Sequence, residues 1–212
     1  MRLETRDLER DGKLKTITSD SMLIRLVCMW ILGFVILLLA WILSFRVLPE
    51  GVVRGSSGAY FVPIKAENTT ETFARIFLWN LCLACFPIAI GNFVRVKGVP
   101  LGYMLAFYHW GIYGVLLGTN SFVIPGPGRF LPSLITLFYG SGIYEISSYT
   151  MISSATFKLH DRYVDFTRDT TSVKEHRERT AALSKTELAV IVFAIVILAI
   201  SNYYEAWNIF HM

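Results

Sequence analysis

A chain of 212 residues in which 54% are apolar and only 17% charged, with a mean hydropathy of +0.50, lies outside the usual range of soluble domains, where roughly a quarter of residues are charged. The apolar residues gather into runs of about 20, the length that crosses a hydrocarbon core about 30 Å thick, so an ordinary water-soluble fold is excluded. A net charge of +4 comes with no basic-aromatic stripe and no phosphate-binding loop, which points to membrane topology rather than to nucleic acid.

In chain order, residues 1–20 form a mixed-charge head, and Ser19-Asp20-Ser21 offers an N-cap to a first predicted span over 22–47. That run is too long for a signal-peptide core and no small-residue cleavage site follows it, so it is expected to stay as an anchor. Pro49, Gly51, Gly55 and Gly58 open a loop over 48–70, with a strand-like piece at 59–64. Further spans are predicted over 71–94, 101–123, 130–157 and 187–204, with a tight turn at Arg95, Lys97, Gly98 and Pro100 and a second turn at residues 124–128. The hydrophilic stretch 158–186 separates the last two and could meet lipid headgroups or a partner's surface. The expected fold is all-α, a single polytopic transmembrane helical bundle of about five spans. Its second, third and fourth helices are expected to form the central unit, with the first and last as lipid-facing supports.

Fifteen of the twenty Lys and Arg residues fall in the head and Arg25, the Arg95-Lys97 turn and the 158–185 stretch; Arg46, Arg54, Lys65, Arg75 and Arg129 fall on the other side. The positive-inside bias then puts the N-terminus in the cytoplasm and the C-terminus outside a cell membrane. On this topology the sequon at Asn68 lies outside, as a candidate glycosylation site. Trp30, Trp41, Tyr60, Tyr204 and Trp207 are candidates for the interfacial aromatic belts.

Polar groups at membrane depth need a partner or a purpose. Asn80, His109 and Glu145, with Ser141 in support, are placed near the midplane by helix rise, and a Glu145-His109-Asn80 cluster follows. It reads either as a clamp fixing helix register or as a proton or ion relay. Gly111, Gly114 and Gly118 in the third span and Gly140 and Gly142 in the fourth suggest that these two helices cross closely. Cys28, Cys82 and Cys85 read as small packing residues, with no second pair to complete a metal site. Gly140-Ser141-Gly142 has the look of an intramembrane serine nucleophile but lacks a set of oxyanion donors. A bis-histidine haem would need a second buried histidine, whereas His160, His176 and His211 lie outside the spans. No cofactor is expected.

The stretch from about Phe73 to Leu159 resembles the stage II sporulation protein M family of integral membrane proteins. The resemblance rests on FARIFLWNL with Asn80, on Gly91 and GVPLGYMLAFYHWGIYGVLLG, and on GSGIYEISSYTMISSATFKL. The last of these is similar to the family's histidine-glycine-x-x-glutamate followed by small residues. Glu145 falls on the family's glutamate, Ser141 stands where the family has histidine, and His109-Trp110 stands where it has asparagine-glycine. The resemblance implies a non-enzymatic membrane component, in sporulating bacteria a scaffold for cell-wall hydrolases. The expected function is a scaffold or accessory subunit with membrane lipids and other membrane subunits as partners. The alternatives are a small transporter or channel using Glu145 and His109, and a structural subunit of a membrane enzyme complex.

Overall fold

The structure, a computed structural model, describes residues 19–54, 68–96, 99–122, 128–162, 164–165 and 183–211. It is mostly helical, and three of its helical stretches, Met22–Val47, Thr69–Gly91 and Lys185–His211, are long and apolar enough to cross a membrane. The strand-like piece at 59–64 and Tyr60 lie outside the described residues.

Helix α1 (Met22–Val47) starts after Ser21 and stops at Leu48, just before Pro49. Ser21 holds the cap position without a side-chain bond to the helix. The second stretch is α2 (Thr69–Asn80), a π-helical turn (Leu81–Cys85) and α3 (Phe86–Gly91). Pro87 lacks the N–H that would close an α-turn there, which fits the local switch to wider winding. Asn68 caps α2 by accepting from the Glu71 amide at 2.9 Å, so the exposed sequon asparagine opens a helix.

The basic turn is a hairpin of β1 (Val94–Val96) and β2 (Val99–Pro100), antiparallel with Val96 opposite Val99. A third short strand, β3 (Val164–Asp165), pairs parallel with β1 and adds a small sheet to a fold expected to be all helix.

Helix α4 (Leu101–Thr119) ends on Asn120 in the left-handed conformation, φ 51°. It is only 19 residues long and carries Tyr103, Tyr108, His109 and Trp110, which keeps it out of the strongly apolar class. The fourth expected span is not one helix. Pro132 delays its start to Ser133, which caps α5 (Leu134–Tyr139) by accepting from the Thr136 amide at 3.1 Å. The chain then breaks at Gly140-Ser141 before α6 (Gly142–Ala155) and a 3-10 turn (Phe157–Arg162). Helix α7 (Lys185–His211) runs past Tyr204 to His211, longer than the 187–204 expected.

Contacts fix the helix directions. Gly33 lies beside Trp110, Gly114 beside Ala40 and Gly118 beside Trp41, so α1 and α4 run parallel. Trp30 donates to Ser147 at 3.1 Å while Arg25 reaches the Ser154 carbonyl, and Trp110 donates to Thr150 at 2.9 Å while Tyr113 lies on Gly142, so α6 runs against both α1 and α4. Glu187 lies beside Lys158 while Ser141 lies beside Glu205, so α7 runs against α6.

The glycine stripe of α4 therefore serves α1, not the fourth span as its spacing suggested. A Cβ on Gly118 would come within 2.7 Å of the Trp41 carbonyl and 2.9 Å of the Phe45 amide, both rigid backbone. On Gly114 it would come within 3.0 Å of Ala40 Cβ. A Cβ on Gly111 would meet only the Ile36 side chain, at 3.6 Å. Gly142 does face α4, through the Tyr113 ring, and Gly140 lies 3.4 Å from the Tyr113 hydroxyl by the same measure.

Small hydroxyl residues complete the packing. Ser147, Ser148 and Thr150 return their hydroxyls to carbonyls one turn back in α6, at 2.7 to 2.9 Å, so that side inserts between helices without orphaned donors.

The first and last helices are thus part of the core, and the expectation that they are mere supports does not hold. Buried Met29, Leu37 and Trp41 come from α1, and Ala194 and Leu198 from α7. Trp41 leaves the expected belt altogether: it is fully buried and donates to the Phe130 carbonyl at 2.8 Å. Trp30 also turns inward, edge-on to Trp110 at 5.5 Å. The opposite faces of both helices stay apolar and bare, including Leu23, Ile31, Val35 and Leu39 on α1 and Leu188, Val192, Val196 and Ile200 on α7. A surface of that extent is unsuited to water and suited to lipid.

Each end is tied by an arginine. Arg25, fully buried, donates to the carbonyls of Ser19 (2.7 Å), Asp20 (3.0 Å) and Ser154 (3.1 Å), lies 3.6 Å from Glu187 and covers the Phe157 ring. Glu187 pairs also with Lys158 at 3.1 Å and forms a reciprocal capping box with Ser184. At the other end Arg129 donates to the carbonyls of Gly118 (3.0 Å), Ser44 (3.0 Å) and Phe45, which satisfies the C-termini of α4 and α1 together.

Gly118→Ala is expected to destabilise the fold by about 1–3 kcal/mol, because rigid backbone must move, whereas Gly111→Ala should stay within about 0.5 kcal/mol. Reversible unfolding in mixed micelles checks both.

Candidate functional site

The polar residues of the predicted spans converge where two helical stretches are irregular. The π-helical turn follows Asn80 directly, and the α5–α6 break holds Ser141. Departure from regular winding frees backbone and redirects side chains, a common feature of sites within helices.

Glu145 stands in the first turn of α6, where the positive helix end favours a carboxyl. Its Oε1 accepts a hydrogen bond from the amide of Asn202 in α7. Asn202 is fully buried, and its own carbonyl accepts from the Asn80 amide at 3.3 Å. One turn further along α7, Glu205 accepts from the Ser141 hydroxyl at 3.3 Å, and its carboxyl lies close enough to that of Glu145 for the two to act on each other electrostatically. The chain Asn80, Asn202, Glu145, Glu205, Ser141 joins α2, α7, α6 and the α5–α6 break in one network.

Two tyrosines close the site from α4 and α6. Tyr113, 9% exposed, sets its hydroxyl against the Gly140–Gly142 break, 2.8 Å from where a Gly142 Cβ would lie. Tyr149, 3% exposed, lies within electrostatic reach of both carboxyls and of the buried thiol of Cys85. Glu145, Glu205, Ser141 and Asn80 are only half-buried, so the network has an open side.

Of the expected cluster, Asn80, Ser141 and Glu145 come together and His109 does not join them. Its Nδ1 is 2.7 Å from the Leu105 carbonyl one turn back, and its ring stands edge-on to Tyr149 at 4.9 Å. The reason is that α4 turns its glycine stripe to α1, which leaves His109 beside Tyr149 rather than at the carboxyl. Cys82 is exposed and Cys85 buried, so the pair faces two environments.

Asn202 and Glu205 are the members missed by sequence reasoning. They lie three residues apart, hence on one helix face, but the span drawn to Tyr204 cut Glu205 off as tail. Asn92, also missed, is fully buried and donates to the Ser153 carbonyl (2.8 Å) and the Thr156 hydroxyl (2.7 Å), joining the α3 end to α6.

Comparison with protein-family models, curated proteins and solved structures gives no match to this chain.

Replacing Asn202 by Leu removes one donor and one acceptor at once, whereas Asn80→Leu removes only the outer bond. Interhelical hydrogen bonds in membranes average about 0.6 kcal/mol and reach about 1.7. Asn202→Leu should therefore cost about 1–2 kcal/mol and Asn80→Leu about 0.5 kcal/mol, measured as shifts in the unfolding transition in micelles.

Proposed function

We propose that this chain is a five-span integral membrane protein of the cell membrane, with its N-terminus in the cytoplasm and C-terminus outside, that serves as a non-enzymatic scaffold or accessory subunit of a larger membrane complex. The observation that carries this reading is the network from Asn80 through Asn202 and Glu145 to Glu205 and Ser141. It spends its hydrogen-bonding groups on holding helices to one another, which is the economy of a clamp. The parallel run of α1 and α4, with α6 against both and α7 against α6, supports five crossings, with α4 and the broken α5–α6 sheltered among the apolar stretches. Non-helical backbone at membrane depth is tolerated where protein surrounds it, as at Gly140-Ser141.

The resemblance to the stage II sporulation protein M family belongs to the same reading, with Glu145 at the family's glutamate acting as the helix tie. A Glu145–His109 relay loses support, since the His109 Nδ1 is satisfied by its own helix. The glycine faces are consumed inside the bundle, so partners would dock on the bare apolar faces of α1 and α7 or on the polar connections.

Two measurements test this reading. Isolated from native membranes in mild detergent, the chain should co-purify with other membrane proteins at fixed stoichiometry; a lone chain that carries ions in proteoliposomes would overturn the scaffold reading. With single cysteines in a cysteine-free background, an impermeant thiol reagent on intact cells should label His211→Cys and spare Lys185→Cys. The reverse pattern would invert the topology.

A further inference from the structure

We propose that the end of the bundle around Phe157 binds a phosphate oxyanion, carried by a lipid headgroup or free, on the side chains of Arg25, Arg95, Tyr103 and Lys158. The inference goes beyond the scaffold reading and does not depend on it.

Separate elements bring these side chains together. The Arg25 guanidinium of α1 lies 4.6 Å from the centre of the Phe157 ring, and that of Arg95 on β1 lies 5.1 Å from it. The Tyr103 ring of α4 packs on the same ring at 5.7 Å. Lys158, the next residue in the chain, reaches Glu187 at 3.1 Å. Arg25 and Tyr103 are both fully buried, and the Arg25 Nε and the Tyr103 hydroxyl have no hydrogen-bond partner. Leaving a buried donor without an acceptor is costly, and two such donors on side chains packed against one ring call for a bound group that accepts from both.

Charge decides what that group is. Glu187 is the carboxylate that Arg25 meets at 3.6 Å and Lys158 at 3.1 Å, so two cations share one anion and a net charge of plus one remains before Arg95 is counted. A water molecule would accept from the orphaned donors and leave that charge uncompensated; an oxyanion does both. Guanidinium groups match phosphate in geometry as well as in charge. The site also grades from a buried floor, Arg25 and Tyr103, to an open rim, with Arg95 half-buried and the Lys158 side chain 44% exposed. It stands where the apolar stretches Met22–Val47 and Lys185–His211 begin, the level at which a bilayer would present its phosphates to basic side chains.

The test titrates the purified full-length chain in non-ionic detergent with dioctanoyl phosphatidylglycerol, dioctanoyl phosphatidylcholine or sodium phosphate, at constant ionic strength, and reads the thermal midpoint. The expected result is a saturable rise with phosphatidylglycerol and none with phosphatidylcholine, whose choline offsets the phosphate charge. An equal rise with sodium phosphate at the same concentration assigns the site to the free ion; a rise with the lipid alone assigns it to the headgroup. Y103F removes only an orphaned hydroxyl, so it should keep the midpoint of the ligand-free chain while raising the half-saturating concentration about tenfold, the loss of one hydrogen bond to a charged group. K158Q should weaken binding as well, and R75Q, on the partly exposed Glu71–Arg75 pair, should change nothing. If K158Q misfolds, Y103F alone decides. No rise with either phosphatidylglycerol or phosphate, an equal rise with phosphatidylcholine, or an unshifted Y103F curve would overturn the proposal.

Discussion

At membrane depth there is no water to solvate a side-chain amide or carboxyl, so each such group must find its partner within the protein. Asn202 satisfies that constraint twice, accepting from Asn80 and donating to Glu145. Because these partners sit on different helical stretches, a local requirement becomes a global one. The rotation of α7 is fixed by the face bearing Asn202 and Glu205, and the height of α6 is fixed by the need to present Glu145 to that face. Hydrophobic packing alone would not settle either quantity for helices long and apolar enough to cross a membrane, since lipid would be as apolar as their surfaces.

The rest of the bundle follows a complementary logic. Where polar ties are few, close approach replaces them: Gly114 and Gly118 let α4 settle onto the backbone of α1. Serines and a threonine on α6 return their hydroxyls to their own helix and behave as small residues. The arginines act at the two ends. Arg25 gathers the start of α1, the end of α6 and the start of α7, while Arg129 satisfies the ends of α1 and α4. Both are bound chiefly to carbonyls, so they serve as helix caps as much as countercharges.

What could be read from sequence, and what could not, divides along physical lines. The bounds of α1 are legible because Ser21 and Pro49 punctuate a long apolar run, and Glu145 stands out because a carboxyl within an apolar stretch is expensive. Its true partners do not stand out. Glu205 lies where hydropathy falls, and a boundary drawn at Tyr204 turned a network member into tail. The stripe Gly111, Gly114, Gly118 announces a close crossing but carries no information on which helix crosses, so its assignment to the fourth span fails against α1. The break at Gly140-Ser141 is foreshadowed by its glycines. The pairing of β3 with β1 is not, since three residues of strand in one place and two in a distant one carry no pattern of their own.

The Asn202–Glu145 bond sets the packing of α7 on α6. A double-mutant cycle over Asn202→Leu and Glu145→Leu, read by reversible unfolding in micelles, tests it most directly. A coupling energy of about 1 kcal/mol or more is expected for partners in one network. Additivity within about 0.3 kcal/mol would contradict it.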